Sequence, residues 1–245
     1  RRRKTRMENS KQPWELRSDD VRKEDKLATF IIFTEDKTSE RLYFESFQTS
    51  NLKINVVENQ KSKMENVFRA IKYCEQKKAF DKGIHVWCVF YRDFNGNPGI
   101  LDKAEISFDE STHTAKRNNI KVAWSNDSFE LWVLLHYEDV NPKEPLLRSK
   151  YYERLTEILK ADTKISNDFR VAIGKGTFNY YDDIKSLNPF KNHILPILKD
   201  ETRRTAAIER AEKLENHHTT HTDKPHEMCP CTMVHHLVKE LLDNQ

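Results

Sequence analysis

Four short runs rich in apolar residues, the first of them unbroken by alternation, constrain this chain more than any other feature. They occupy residues 27–33, 52–57, 84–91 and 120–124, and the third, Ile84-His85-Val86-Trp87-Cys88-Val89-Phe90-Tyr91, is the strongest. A strand with one face in water alternates in polarity, whereas an unbroken run is buried on both faces, as in a parallel sheet covered by helices. Between the runs, apolar residues recur at helical spacing. Tyr43, Phe44 and Phe47 mark one helix, Met64, Val67, Phe68, Ile71 and Cys74 a second, and residues 101–116 a third, more polar one. Another begins over residues 129–136. Strands alternating with helices predict right-handed crossovers and an α/β fold with a mostly parallel sheet.

Beyond about residue 138 the strand signal fades. Residues 151–159, 194–198, 205–214 and 233–242 read as helices, and 217–231 as a polar, proline-containing interruption. The expected organisation is a basic N-terminal arm (1–26), an α/β core (27–137) and a helical C-terminal part (138–245) packed on that core as one unit.

Composition narrows the class. Of 245 residues, 33% are charged and 37% hydrophobic, a polar balance, yet 10% are aromatic, enough with the apolar runs to exclude wholesale disorder. No apolar stretch approaches the roughly 20 residues of a membrane span. Cys74 and Cys88 sit in apolar patterns, which suits free thiols in a reducing cytoplasm. Net charge is only 42 − 39 = +3, but Arg1, Arg2, Arg3, Lys4 and Arg6 crowd the start without an acid among them. Such a block favours a polyanion, and no apolar segment follows it to make a secretory leader.

Ligands of open α/β sheets gather at the carboxyl ends of the strands. Glu35 follows the first strand, Asp93 the third, and Asn126, Asp127 and Glu130 the fourth, so separate strands deliver acids to one edge. Clustered hard oxygen donors suit Mg²⁺ or Mn²⁺, which can clamp a phosphate and activate water. Asp127-Ser128-Phe129-Glu130 also has the spacing of a capping box, which would explain its acids without a metal. His136, two turns on, reads as a buried helix residue. Gly174-Lys175-Gly176-Thr177 is not a phosphate loop, because Phe169 stands where the first glycine is needed and Gly176 where Ser or Thr must follow. Lys175 could still face a phosphate. His217, His221, Cys229 and Cys231 could hold zinc, although a single residue between the cysteines is too few for a standard finger. Arg148, Lys150, Tyr151, Tyr152 and Arg154, with Arg203 and Arg204 further on, suit nucleic-acid phosphates and bases, or equally a charged helix face paired with Glu153 and Glu157.

Several of these segments resemble the RloB-like family. The likeness runs through Ile31-Ile32-Phe33-Thr34-Glu35, Lys37-Thr38-Ser39-Glu40 and Tyr43-Phe44, then Val89-Phe90-Tyr91-Arg92-Asp93. It is most specific at Ser125-Asn126-Asp127-Ser128-Phe129-Glu130-Leu131-Trp132-Val133-Leu134-Leu135-His136, and it closes at Gly174-Lys175 and Pro230-Cys231-Thr232-Met233-Val234. The resemblance implies a TOPRIM-like sheet and a metal-dependent nuclease of prokaryotic anti-phage defence, cytoplasmic, acting beside an ATPase partner, with oligomers allowed. It makes Glu35 and Asp93 the ligands of Mg²⁺ or Mn²⁺ and catalytic residues together with Glu130 and Lys175. Arg92, Asn126, Arg148 and Lys150 would contact nucleic acid. Tyr91 breaks the pattern, standing where TOPRIM domains carry the first aspartate of a pair. A phenol is a neutral ligand at pH 7, so a non-catalytic nucleic-acid-binding or sensor subunit is the alternative.

Overall fold

The computed structural model describes residues 27–58, 62–93, 103–163, 165–174 and 176–245, with only the backbone of 103–105. The basic arm and Lys175 lie outside the described residues. Strands β1 (Ala28–Thr34), β2 (Leu52–Val57), β3 (His85–Tyr91) and β4 (Lys121–Asn126) alternate with helices α1 (Ser39–Glu45), α2 (Lys63–Lys77) and α3 (Lys103–Arg117). The sheet order is β2-β1-β3-β4 with every pair parallel, so Thr34, Val57, Tyr91 and Asn126 end at one edge.

Both faces are covered, which is why the runs of β1 and β3 do not alternate. Ile31, Phe33, Val86, Cys88, Phe90 and Trp124 pack against Val67, Ala70 and Tyr73 of α2 and Phe108 and Ala115 of α3. Phe30, Ile32, Trp87, Val89 and Ala123 face the other way, into a larger cluster. That second cluster is built by α1, by α4 (Glu130–Leu135) and by the C-terminal helices. These are α5 (Arg148–Ala161), α6 (Asn167–Ile173), α7 (Tyr180–Ile184), a π-helical turn at Phe190–Ile194 that follows the exposed α8 (Leu187–Pro189), α9 (Leu195–Lys199), α10 (Glu201–Thr219) and α11 (Val234–Asp243). Tyr151, Leu155, Phe190, Leu198, Ala207, Leu237 and Leu241 join the sheet's own residues there, so the helical part shares one core with the sheet.

The structure corrects the C-terminal reading in two places. Residues 217–231 are not one loop, since α10 runs through His217 and His218 to Thr219, and a 3-10 turn follows at Pro225–Glu227. The strand signal also returns: β5 (Cys231–Thr232) pairs antiparallel with β4, Ser125 opposite Thr232 and Asn126 opposite Cys231, making a fifth strand. Two residues are too few to display a period.

One side chain fixes the geometry of the carboxyl edge. Asn66 of α2 is wholly buried, and its amide donates to the carbonyls of Phe33 (3.2 Å) and Val89 (3.1 Å). It thereby ties the ends of β1 and β3 together beneath the residues that follow them.

Candidate active site

Glu35 leaves the sheet directly after β1, half-buried, and its carboxylate accepts a long hydrogen bond from the Tyr91 amide at the end of β3 (3.4 Å). Burial pushes its carboxyl up to about 7, and Asp93 pushes the same way against the opposing pull of Lys63 and Arg148. Asp36 turns back to the start of α1, where its carboxylate accepts from the amides of Thr38 (3.1 Å) and Ser39 (2.7 Å). The carboxylate thereby satisfies backbone amides at the start of the helix, as a capping side chain does.

Glu40 follows on α1 and is 1% exposed. Burial raises its carboxyl well above the ordinary range, and Asp36, Glu35 and Glu130 raise it further. Its Oε2 accepts from the Asp36 amide (3.3 Å). Carboxyl groups that follow β1 and lie on α1 and α4 therefore come near one another, and burial favours the protonated forms of Glu35 and Glu40 until a cation offsets them. That donor set, all hard oxygens, fits a divalent ion of the Mg²⁺ or Mn²⁺ kind.

Two cations border the acids. Lys185, just past α7, pairs with the buried Glu130 (2.8 Å), donates to the Tyr152 hydroxyl (3.2 Å) and lies over the Tyr152 ring. Burial works against its charge, but Glu130 and Tyr152 outweigh it and raise the ammonium. Arg148, at the start of α5, contacts Asp93 and donates through its backbone amide to the buried Asp127 (3.1 Å). Its guanidinium also lies 5.3 Å from the centre of the Tyr91 ring. Asp36, Glu40, Tyr91, Ser128, Phe129, Glu130, Arg148, Tyr152 and Lys185 together enclose a polar cleft of about 50 Å³.

A family model described as RloB-like protein matches residues 30–241. The chain belongs to the RloB-like family. No curated protein matches it, and no solved structure does.

In this RloB-like chain the residues singled out from sequence separate into two groups. Glu35, Glu130, Arg148 and Asp93 stand around the carboxyl edge, and Glu35 feels the charge of both Asp93 and Arg148. Asp93 itself is exposed, has a left-handed backbone (φ 64°) and meets Arg148. Among the described residues, Glu35 and Asp93 belong to no trio of ligating side chains close enough to share an ion. The capping box does not form: Asp127 accepts from Arg148, Glu130 pairs with Lys185, and Phe129 precedes the helix without a side-chain cap.

The others have different work. Asn126 is completely buried and donates to the carbonyls of Pro225, His226 and Met228, at 2.9 to 3.2 Å, so it shapes the approach to β5 instead of facing the cleft. Arg92 is buried beside it, 3.5 Å from the Asn126 oxygen. Lys150 is exposed and held by Glu153, and Arg154 by Glu138 and Glu157, as a charged helix face would have it. Tyr151 is wholly buried and offers no face to a base. His136 is buried too, bonded to the Trp132 carbonyl (2.8 Å), and burial lowers its imidazole to about 4.

Sequence reasoning missed Glu40 and Lys185 as site residues. Glu40 had a signal, an acid one helical turn beyond Glu35-Asp36 on a helix with an apolar face. Lys185 had none, because only the path of the C-terminal helices brings it to Glu130.

Proposed function

We propose that this protein is a metal-dependent nuclease that hydrolyses phosphodiester bonds of DNA or RNA, with a TOPRIM-like core, in prokaryotic anti-phage defence beside an ATPase partner. The observation that carries the reading is the meeting of Glu40 and Glu130 on a cleft bordered by Arg148 and Lys185, with Glu35 near enough to raise the Glu40 carboxyl. Membership of the RloB-like family and four parallel strands ending at one edge of the sheet support it.

Glu35 and Asp93 would hold the ion, which when bound supplies charge to polarise a phosphate and acidify a water. Arg148 and Lys185 offer fixed positive charge to the phosphate and its developing negative charge. Tyr91 keeps its proton, since burial and the neighbouring acids Glu40, Glu35 and Asp93 all raise its phenol. It can therefore donate a hydrogen bond but not ligate as an anion.

A second reading follows from Arg148. Its guanidinium satisfies Asp93 and Asp127 together, placing a protein cation where an ion would be expected, and a site so neutralised suits nucleic-acid binding without cleavage. Incubating the chain with plasmid, single-stranded DNA and tRNA in Mg²⁺ or Mn²⁺ separates the two. Cleavage that drops roughly a hundredfold or more in Glu35→Ala and Asp93→Ala supports hydrolysis. Retained binding with no cleavage in either metal supports the second reading.

No helix among the described residues is long and apolar enough to cross a membrane.

A further inference from the structure

A second concentration of ligating side chains shares no residue with the acidic cleft. Glu215 lies in the last turns of α10, and His235 and His236 in the first turn of α11. One donor atom from each lies within 4.8 Å of the others. His235 Nε2 is 2.9 Å from Glu215 Oε2, and His236 Nε2 is 2.8 Å from the same oxygen and 3.0 Å from Oε1.

His235 supplies the deciding detail. It is completely buried, and its Nδ1 lies 3.0 Å from the Thr232 carbonyl. A carbonyl only accepts, so Nδ1 carries the proton, and in a neutral imidazole Nε2 is then a lone pair aimed at a carboxylate. Either a second proton makes a buried imidazolium, or a cation takes the lone pair. A backbone carbonyl fixing one ring nitrogen so that the other faces a metal is the usual outer contact of a histidine ligand.

We propose that Glu215, His235 and His236 bind a divalent transition ion of the zinc class, with the remaining coordination positions open to water. Two imidazoles and one carboxylate form a borderline donor set that prefers Zn²⁺ or Co²⁺ to hard Mg²⁺. The half-exposed His236 gives the ion a way in. Twenty positions separate Glu215 from His235, so a bound ion closes a long loop and fastens α10 to the segment that supplies β5 and α11. This moves the zinc expectation away from His217, His221, Cys229 and Cys231. Among the described residues those four do not gather: His221 Nδ1 meets the His217 carbonyl (2.7 Å), and Cys229 faces backbone carbonyls.

The test uses the full chain after EDTA treatment and dialysis. Calorimetry with Zn²⁺ should show one ion per chain at micromolar affinity or tighter, and Co²⁺ should give visible ligand-field bands. Binding should weaken on the order of tenfold or more in His236→Ala and in Glu215→Gln. It should be unchanged in His221→Ala and should resist excess Mg²⁺. His236 is half-exposed, and far-UV circular dichroism confirms that its variant is folded. The proposal is overturned by a chain that takes up no Zn²⁺, by uptake that survives both variants, or by uptake lost in His221→Ala.

Discussion

The residue with most to say about this site is Glu35, because its carboxyl is raised to about 7 from an ordinary 4.5. A raised carboxyl contributes stability that is fully present below 4.5 and is lost as pH rises through 7, since the folded state holds the proton more tightly than the unfolded chain. In metal-free buffer, Glu35→Gln should therefore be more stable than the parent at pH 8, by about 2 kcal/mol, and nearly equal to it at pH 4.5. Glu40 stays in both proteins, and losing the charge of Glu35 lowers its carboxyl as well, which adds to the difference at high pH. A difference that does not grow with pH would refute the assignment. Tyr91 makes the complementary case. Tyr91→Asp exchanges a protonated phenol for a carboxylate on the strand beside Glu35, and Mn²⁺ should bind about tenfold tighter by calorimetry. Unchanged or weaker affinity would mean that the end of β3 does not face the ion.

At the scale of elements, the site depends on strand ends being held in register. Asn66 bridges β1 and β3 from α2, with both contacts sheltered from water. Asn66→Ala leaves the carbonyls of Phe33 and Val89 without that donor and should cost about 2 kcal/mol in urea unfolding. Because Glu35 and Tyr91 ride on those strands, activity should fall further than the loss of stability explains. A variant as stable as the parent would remove Asn66 from this role. The helices that carry the cations are placed by apolar anchors: Tyr151 and Leu155 seat α5, and Tyr180 and Ile184 seat α7, so that Arg148 and Lys185 stand at the cleft.

For the whole molecule, the question is whether the C-terminal helices are an appendage. Val234, Leu237, Val238 and Leu241 of α11 are all fully buried in the cluster that covers one sheet face. At about 2 kcal/mol each, deleting them forfeits about 8 kcal/mol, comparable to the entire stability of an ordinary domain. A chain ending at Met228 should lose its cooperative thermal transition by circular dichroism. A sharp, two-state melt in that fragment would show the α/β part to be self-sufficient. Much of this architecture was legible in advance. The apolar runs at 27–33 and 84–91 announced a sheet covered on both faces, and Glu35 could be placed at its carboxyl edge from strand order alone. Strand periodicity is a local property, readable wherever an element is long enough to show it, and the direction of a parallel strand decides which end its following residue occupies. Tertiary structure alone decided the pairing of Cys231–Thr232 with β4, the ion pairs of Lys185 with Glu130 and of Arg148 with Asp93 and Asp127, and the meeting of Glu215 with His235 and His236. Each joins residues far apart in the chain through side chains whose own neighbourhoods say nothing of their partners, and only the packing of α5, α7, α10 and α11 on the sheet brings them within reach.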